Sequence, residues 1–288
     1  MFERFRRSWE LGKASWRIMT SNPQLLLFPL IATIALLISS AAIGGIGWGV
    51  IYAMGLDLST ELSADNIPGI IVVVLISLAG SIVTIYFNTA LTGAVLRQID
   101  GQSATLSDGL AVANSRKQAI VGWALLVTTV GLLLAVIRDK GGVAGRVVAW
   151  IGDIAWTLAT FFVVPILATH NVGPIDALKQ SGQLFKRTWG EQVVGNAGIG
   201  LFAFIIGLPL MIVAFVVAGI GFATGSIPVI VIALIIAGLL IGLTIAIGST
   251  LSGIYRTVLY RWATSGEVAQ GFPQDAVRGA FVPKGSGF

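Results

Sequence analysis

Two side chains in this sequence could handle a proton within an apolar run, Asp153 and His170. Asp153 is the only acidic residue well inside a stretch long enough to cross a bilayer, about 9 Å of helix past Val147. Ionisable groups at such depth are expensive, so they tend to be paired or functional. The functional reading is a proton or cation path. The structural one is a carboxylate reaching water or pairing with Arg138 or Arg146. His170 is the single histidine, which excludes multi-histidine metal sites and leaves little acid–base chemistry near neutral pH. Roughly 17 residues of helix, about 25 Å, separate it from Asp153, so the two make no catalytic pair. Intramembrane acyl transfer or proteolysis needs a nucleophile with a base, or paired carboxylates, and the chain is therefore expected not to be an enzyme. With no cysteine, disulfides, thiolate zinc sites and iron–sulfur clusters are excluded, and no cofactor is expected.

A second polar set gathers toward the inner ends of the apolar runs: Asn88, Thr92, His170, Asn171, Asn196, Tyr255 and Arg256. Brought together, they would make a pocket for a headgroup or a small solute. Hydrogen bonds between helices explain them as well, and both readings stay open.

The elements that must position these residues follow from composition. Of 288 residues, 56% are hydrophobic and 11% charged, with a mean hydropathy of +0.91. A soluble domain carries roughly a quarter charged residues, so most of this exterior must face lipid. Six runs reach the roughly 20 apolar residues that a span needs: 25–54, 67–96, 119–137, 147–169, 192–223 and 227–259. They are continuous rather than alternating, which excludes a barrel pattern. The expected fold is all-α, a polytopic membrane bundle of six transmembrane helices. The first run is about twice the length of a signal peptide's core, so it is expected to remain as a span. Pro165 and Pro209 would kink the fourth and fifth helices.

Orientation follows from the basic residues. Arg4, Arg6, Arg7, Lys13 and Arg17 precede the first span; Arg97, Arg116 and Lys117 follow the second. Lys179, Lys186 and Arg187 follow the fourth, and Arg256, Arg261, Arg278 and Lys284 close the sixth. Only Arg138, Lys140 and Arg146 fall on the opposite side. The positive-inside rule then places both termini in the cytoplasm and the chain in the inner membrane. The net charge of +5 is accounted for by this bias toward anionic headgroups. No basic run is interleaved with aromatics, so no nucleic-acid partner is expected.

The segments on the basic side resemble one another. Phe2, Phe5, Trp9, Gly12, Trp16 and Met19 step by three and four, as one stripe of a helix does. Ile175, Leu178, Gly182, Phe185 and Trp189 do the same, and 105–118 repeats it more weakly with Leu106, Leu110 and Ala113. Each precedes a pair of spans, which fits three repeats of an amphipathic helix plus a transmembrane hairpin. Trp9, Trp16, Phe185 and Trp189 are the candidate interfacial anchors; capping the end of the bundle is the competing role. Pro23 and Pro174 mark places where a helix begins or breaks. The organisation is thus 1–24 as an amphipathic helix, 25–264 as the membrane domain with amphipathic segments near 105–118 and 174–190, and 265–288 as an extended tail lying on the bundle, its last residues disordered.

Three glycine pairs match the close-packing motif of membrane helices: Gly45 with Gly49, Gly221 with Gly225, and Gly238 with Gly242. They pack helices within one chain or join copies of it. Gly44-Gly45-Ile46-Gly47 is no phosphate loop, since no Gly-Lys-Ser/Thr follows.

Particular strings carry a likeness. Arg7–Arg17 (RSWELGKASWR) with Leu25–Leu30 (LLLFPL), Thr160–Leu167 (TFFVVPIL), Trp189–Asn196 (WGEQVVGN) and Leu259–Val268 (LYRWATSGEV) resemble an uncharacterised bacterial and archaeal membrane-protein family. The resemblance implies a six-helix integral membrane protein without an assigned activity. It also implies an acidic residue in relatives where His170 stands here, which argues against an essential histidine. Two functions remain: a non-enzymatic scaffold that interacts with membrane lipids or forms homo-oligomers, and a small-solute or ion transporter using Asp153 and the inner polar set.

Overall fold

The computed structural model describes residues 2–55, 67–189, 198–269, 271–274 and 277. Among them the chain is helical, with no strand. The order is α1 (Phe2–Ser21), a 3-10 turn (Pro23–Leu26), α2 (Leu27–Ala53), α3 (Ile67–Ile99), α4 (Leu106–Ser115), α5 (Lys117–Lys140), α6 (Gly142–Ala159), α7 (Val163–Thr169), α8 (Pro174–Trp189), α9 (Gly198–Ala223) and α10 (Ile227–Ser265). Three times over, a short helix precedes long apolar ones. Six stretches are long and apolar enough to span a membrane: Pro23–Ala53, Ile67–Ile99, Lys117–Lys140, Gly142–Thr169, Phe202–Ala223 and Ile227–Ser265. They are the six runs read from the sequence.

Proline sets several boundaries. Pro23 pushes Asn22 out of the helical region, to φ −136° and ψ 84°, and ends α1. Pro174 opens α8 at its first position, where a missing N–H costs nothing. Pro165 has no N–H for the carbonyl of Phe161, and the fourth span breaks there into α6 and α7. Pro209, by contrast, lies inside an unbroken α9.

The chain forms two compact units. One comprises 1–30, 90–110 and 183–288. Here α1 lies along α9 and α10. Leu11, Ala14 and Met19 of α1 are buried, as are Leu25, Phe28, Leu91, Val95, Leu251, Ile254, Val258 and Leu259. Trp9 meets Phe202 edge-on, with ring centroids 4.8 Å apart, while Lys13 and Arg17 face outward. Phe272 and Val277 of the tail are buried too, and Arg17 donates to the carbonyl of Gly271 at 3.4 Å.

The other unit comprises 31–89 and 111–182. α5 and α6 pack as a hairpin, and Trp123 stacks on Trp156 at 5.7 Å. Thr128 donates to the Ser81 hydroxyl at 3.1 Å, and the Tyr86 hydroxyl donates to Asn114 Oδ1 at 3.0 Å. At the α6–α7 break, the N–H of Phe162 donates to Oγ of Ser181 at 3.0 Å. A residue of α8 thus closes the backbone group that the broken span would leave open.

The glycines divide sharply. A methyl on Gly221 would collide with Cβ of Ala233, so α9 and α10 touch there. Gly225 packs no helix: at φ +64° it turns the chain from α9 into α10, a conformation in which glycine carries no steric penalty. Gly45, Gly49, Gly238 and Gly242 have no atom within 4 Å of where a Cβ would stand. Among the described residues, no other part of the chain closes on these four positions. Gly221→Ala is expected to lower stability by roughly 1–3 kcal/mol, because the Ala233 methyl cannot rotate away. Gly238→Ala should leave stability equal or raise it by up to about 1 kcal/mol through helix propensity. Thermal unfolding of the two variants in detergent checks the contrast, and equal losses would contradict it.

Candidate functional site

The densest polar arrangement lies around the end of α3. Gly101 adopts φ +76° there, letting Gln102 N–H reach back to the Arg97 carbonyl at 3.0 Å and Gly101 N–H to that of Gln98 at 3.2 Å. This double bond closes α3 and turns the loop toward the segment after α1. Asn22 Nδ2 donates to the Ala104 carbonyl at 2.7 Å and to Gln98 Oε1 at 3.1 Å. Gln24 Oε1 accepts from Leu106 N–H at 3.1 Å.

α4 starts with a capping box. Asp108 N–H donates to the Thr105 hydroxyl at 3.2 Å. The Asp108 carboxylate accepts from that hydroxyl at 2.7 Å and from Thr105 N–H at 3.0 Å. Arg97 stands 3.8 Å away. The Thr105 hydroxyl first, its N–H second and the Arg97 charge last hold the Asp108 carboxyl below the usual carboxylate range, against a small opposing effect of burial.

Beyond the same turn, Arg261 of α10 binds Asp100 at 2.6 Å and Glu267 at 3.3 Å. Arg187 donates to the Ala263 carbonyl at 3.2 Å. Around Arg261 opens a cleft of about 530 Å³ lined by Asp100, Glu267, Gln274, Ile99 and Val268 among others. The tail itself forms part of the lining, through Gly266, Glu267, Val268, Ala269 and Gln274, and one guanidinium stands against two carboxylates there. Asp100 and Glu267 are 37% and 70% exposed, and partly exposed pairs of this kind contribute about 0–1 kcal/mol each.

Asp153 is paired with Arg138 across the α5–α6 hairpin. Both side chains are about half exposed, at 46% and 50%. The pairing accounts for one of the three cations on the sparsely charged side. The inner polar set divides between the units. Asn88, His170 and Asn171 belong to one, Thr92, Tyr255 and Arg256 to the other, so neither unit holds the whole group. Tyr255 and Thr92 are buried; Asn88 is half-buried, and Arg256, His170 and Asn171 are exposed. Nδ1 of His170 lies 2.8 Å from the Thr169 hydroxyl. Asn196 lies outside the described residues.

Of the aromatic anchors, Trp9 packs on Phe202 and Phe185 is 8% exposed, so both insert into protein. Trp16 is half-buried, and the Trp189 side chain lies outside those described. The stripe on α8 is also shifted from its expected face. Ala177, Ser181 and Phe185 are buried, whereas Ile175 is 56% exposed and Gly182 has no neighbour within 4 Å.

Residues 67–272, which include the polar cluster at the end of α3, match a model of a family of unknown function, DUF6159. The chain belongs to DUF6159. In this family member the match takes in Asp100, Asp108, Asp153, Arg138, Arg261 and Glu267 and starts after α2, leaving out Asn22 and Gln24 at the 3-10 turn. No curated protein matches the chain. Sequence reading missed Asn22, Gln24, Gln98 and Asp100; the Thr105-x-x-Asp108 spacing was the one local signal of the capping box.

Two outcomes follow. Asp108 ionised stabilises the start of α4 at neutral pH, and that contribution disappears as acid protonates it below the usual carboxylate range. Thermal melts on acidification should therefore show a loss that Asp108→Asn abolishes, and an unchanged pH profile in that variant would contradict it. Asp153→Asn should fold with near wild-type yield, costing at most about 1 kcal/mol for a half-exposed pair. Arg138→Gln combined with it should cost no more than the worse single change, and additive losses in a double-mutant cycle would show that the pair does not exist.

Proposed function

We propose that this DUF6159 member is a non-enzymatic integral membrane scaffold that acts through the surface of its spans, organising lipid or further copies of itself. One observation carries this reading. Among the described residues, the most apolar window of each span is only 6% to 22% buried within the chain, and nothing lies within 4 Å of where a Cβ would stand on Gly45, Gly49, Gly238 and Gly242. Bare small residues on a lipid-facing helix let another backbone or an acyl chain approach closely. The ion pair between Asp153 and Arg138 supports it further, since it occupies the carboxylate on which a transport path would depend.

Placement is part of the proposal: inner membrane, with both termini in the cytoplasm, as the distribution of Lys and Arg favours. The chain has no cysteine, so single introduced thiols report topology cleanly. Lys140→Cys, in the α5–α6 turn, should react with an impermeant maleimide in intact cells. Gln102→Cys should react only after permeabilisation, and the reverse pattern would invert the orientation.

Native mass spectrometry of gently solubilised protein tests the function. A single defined oligomer that retains lipid is the expected result, with Gly238→Leu dispersing it. A lipid-poor monomer would overturn the scaffold and leave transport through Asp153 as the better account.

A further inference from the structure

α8 carries two faces with different tasks. Ala177, Ser181 and Phe185, at intervals of four, are buried, and the bond from Phe162 N–H to Ser181 fixes that side inward. The opposite stripe is Ile175, Lys179, Gly182 and Lys186, spaced by four, three and four. Ile175 is 56% exposed, both lysines are exposed, and Gly182 has no neighbour within 4 Å. The outer face thus carries one exposed apolar side chain, Ile175, followed by two long basic stems. Arg187 takes no part in it, since it donates to the Ala263 carbonyl. Asp176, Gln180 and Gln183 form the polar flank.

A short connection tethers α8 to the end of the fourth apolar stretch. α7 ends the fourth span at Thr169, and α8 begins at Pro174. Even fully extended, that connection covers at most about 18 Å. An amphipathic helix tethered this near the end of a span, with an exposed isoleucine to insert and two lysine stems to carry their ammonium ends to phosphate level, matches a negatively charged lipid surface.

We propose that the Ile175–Lys179–Gly182–Lys186 face of α8 is a docking surface for anionic phospholipid headgroups, with Ile175 inserted and the two lysines on the phosphates. This deepens the scaffold reading and rests on it by naming the lipid class the protein selects. Each lysine near an anionic surface contributes roughly a fivefold change in occupancy, so losing both should weaken the contact about 25-fold.

The test uses the full chain in nanodiscs with an environment-sensitive nitrobenzoxadiazole probe on Gly182→Cys, where the open space admits a label. Discs of phosphatidylcholine alone are compared with discs containing half phosphatidylglycerol. Emission should shift to the blue, and quenching by spin-labelled lipid should rise, only in the anionic discs. Molar salt, or Lys179→Gln with Lys186→Gln, should reverse both changes. A probe on Gln180→Cys, on the polar flank, should stay water-like throughout and reports on helix orientation even if the double lysine variant expresses poorly. Water-like emission at position 182 in both discs overturns the proposal. A shift of equal size in both overturns the assignment to anionic headgroups, and a response at 180 but not 182 overturns the face. A lipid-poor monomer in native mass spectrometry would remove the scaffold while leaving the probe result to stand on its own.

Discussion

In hydrocarbon an unpaired backbone N–H has no water to turn to, and every span of this chain is shaped by that fact. Continuous helices satisfy it along α2, α3, α5, α9 and α10. The fourth span does not, because Pro165 interrupts the ladder and the chain turns between Ala159 and Val163. The hydroxyl of Ser181 supplies the acceptor that Phe162 lacks within its own segment. A helix outside the span thus repairs a helix inside it, and α8 is held in place by the same bond. Its remaining face is then free to meet whatever surrounds the protein.

Packing is distributed in keeping with this constraint. Because lipid tails are as apolar as leucine, burying one span against another gains little from water exclusion. The buried side chains of the first unit gather instead where α1, the 3-10 turn and the ends of α3 and α10 meet, at Leu11, Leu25, Phe28, Leu91, Ile254 and Leu259. The polar bonds of Asn22, Gln24, Gln98 and Arg261 surround that core. α10 reaches it because its 39 residues run for about 58 Å, far beyond a hydrocarbon layer of about 30 Å.

Length and apolarity alone decide whether a segment can cross a bilayer, so the six spans and the prolines at their boundaries were legible in the residues. The faces were not. On α8 the large side chains Ile175, Leu178 and Phe185 drew the expected stripe, yet only Phe185 of these is buried, beside Ala177 and Ser181, which carry almost no hydropathic weight. The glycine motifs misled for a related reason: spacing shows that a close approach is allowed, while only the fold shows whether a neighbour comes. Gly221 has one, and Gly238 has none. The clasp between Asn22 and Gln98 joins residues 76 positions apart, and no local pattern announces such a pair.

The single residue between α5 and α6 bears on how the protein is made. No side chain fits at Gly141, where a Cβ would stand 2.5 Å from Gly145 Cα and 2.6 Å from the Ile137 carbonyl oxygen, so the two helices are joined by a turn of one glycine. In the proposed orientation that turn crosses the membrane with Arg138, Lys140 and Arg146, opposed by Asp139 and Asp153. These five side chains carry a net charge of +1 rather than +3, so the two aspartates lower the charge that such a passage moves.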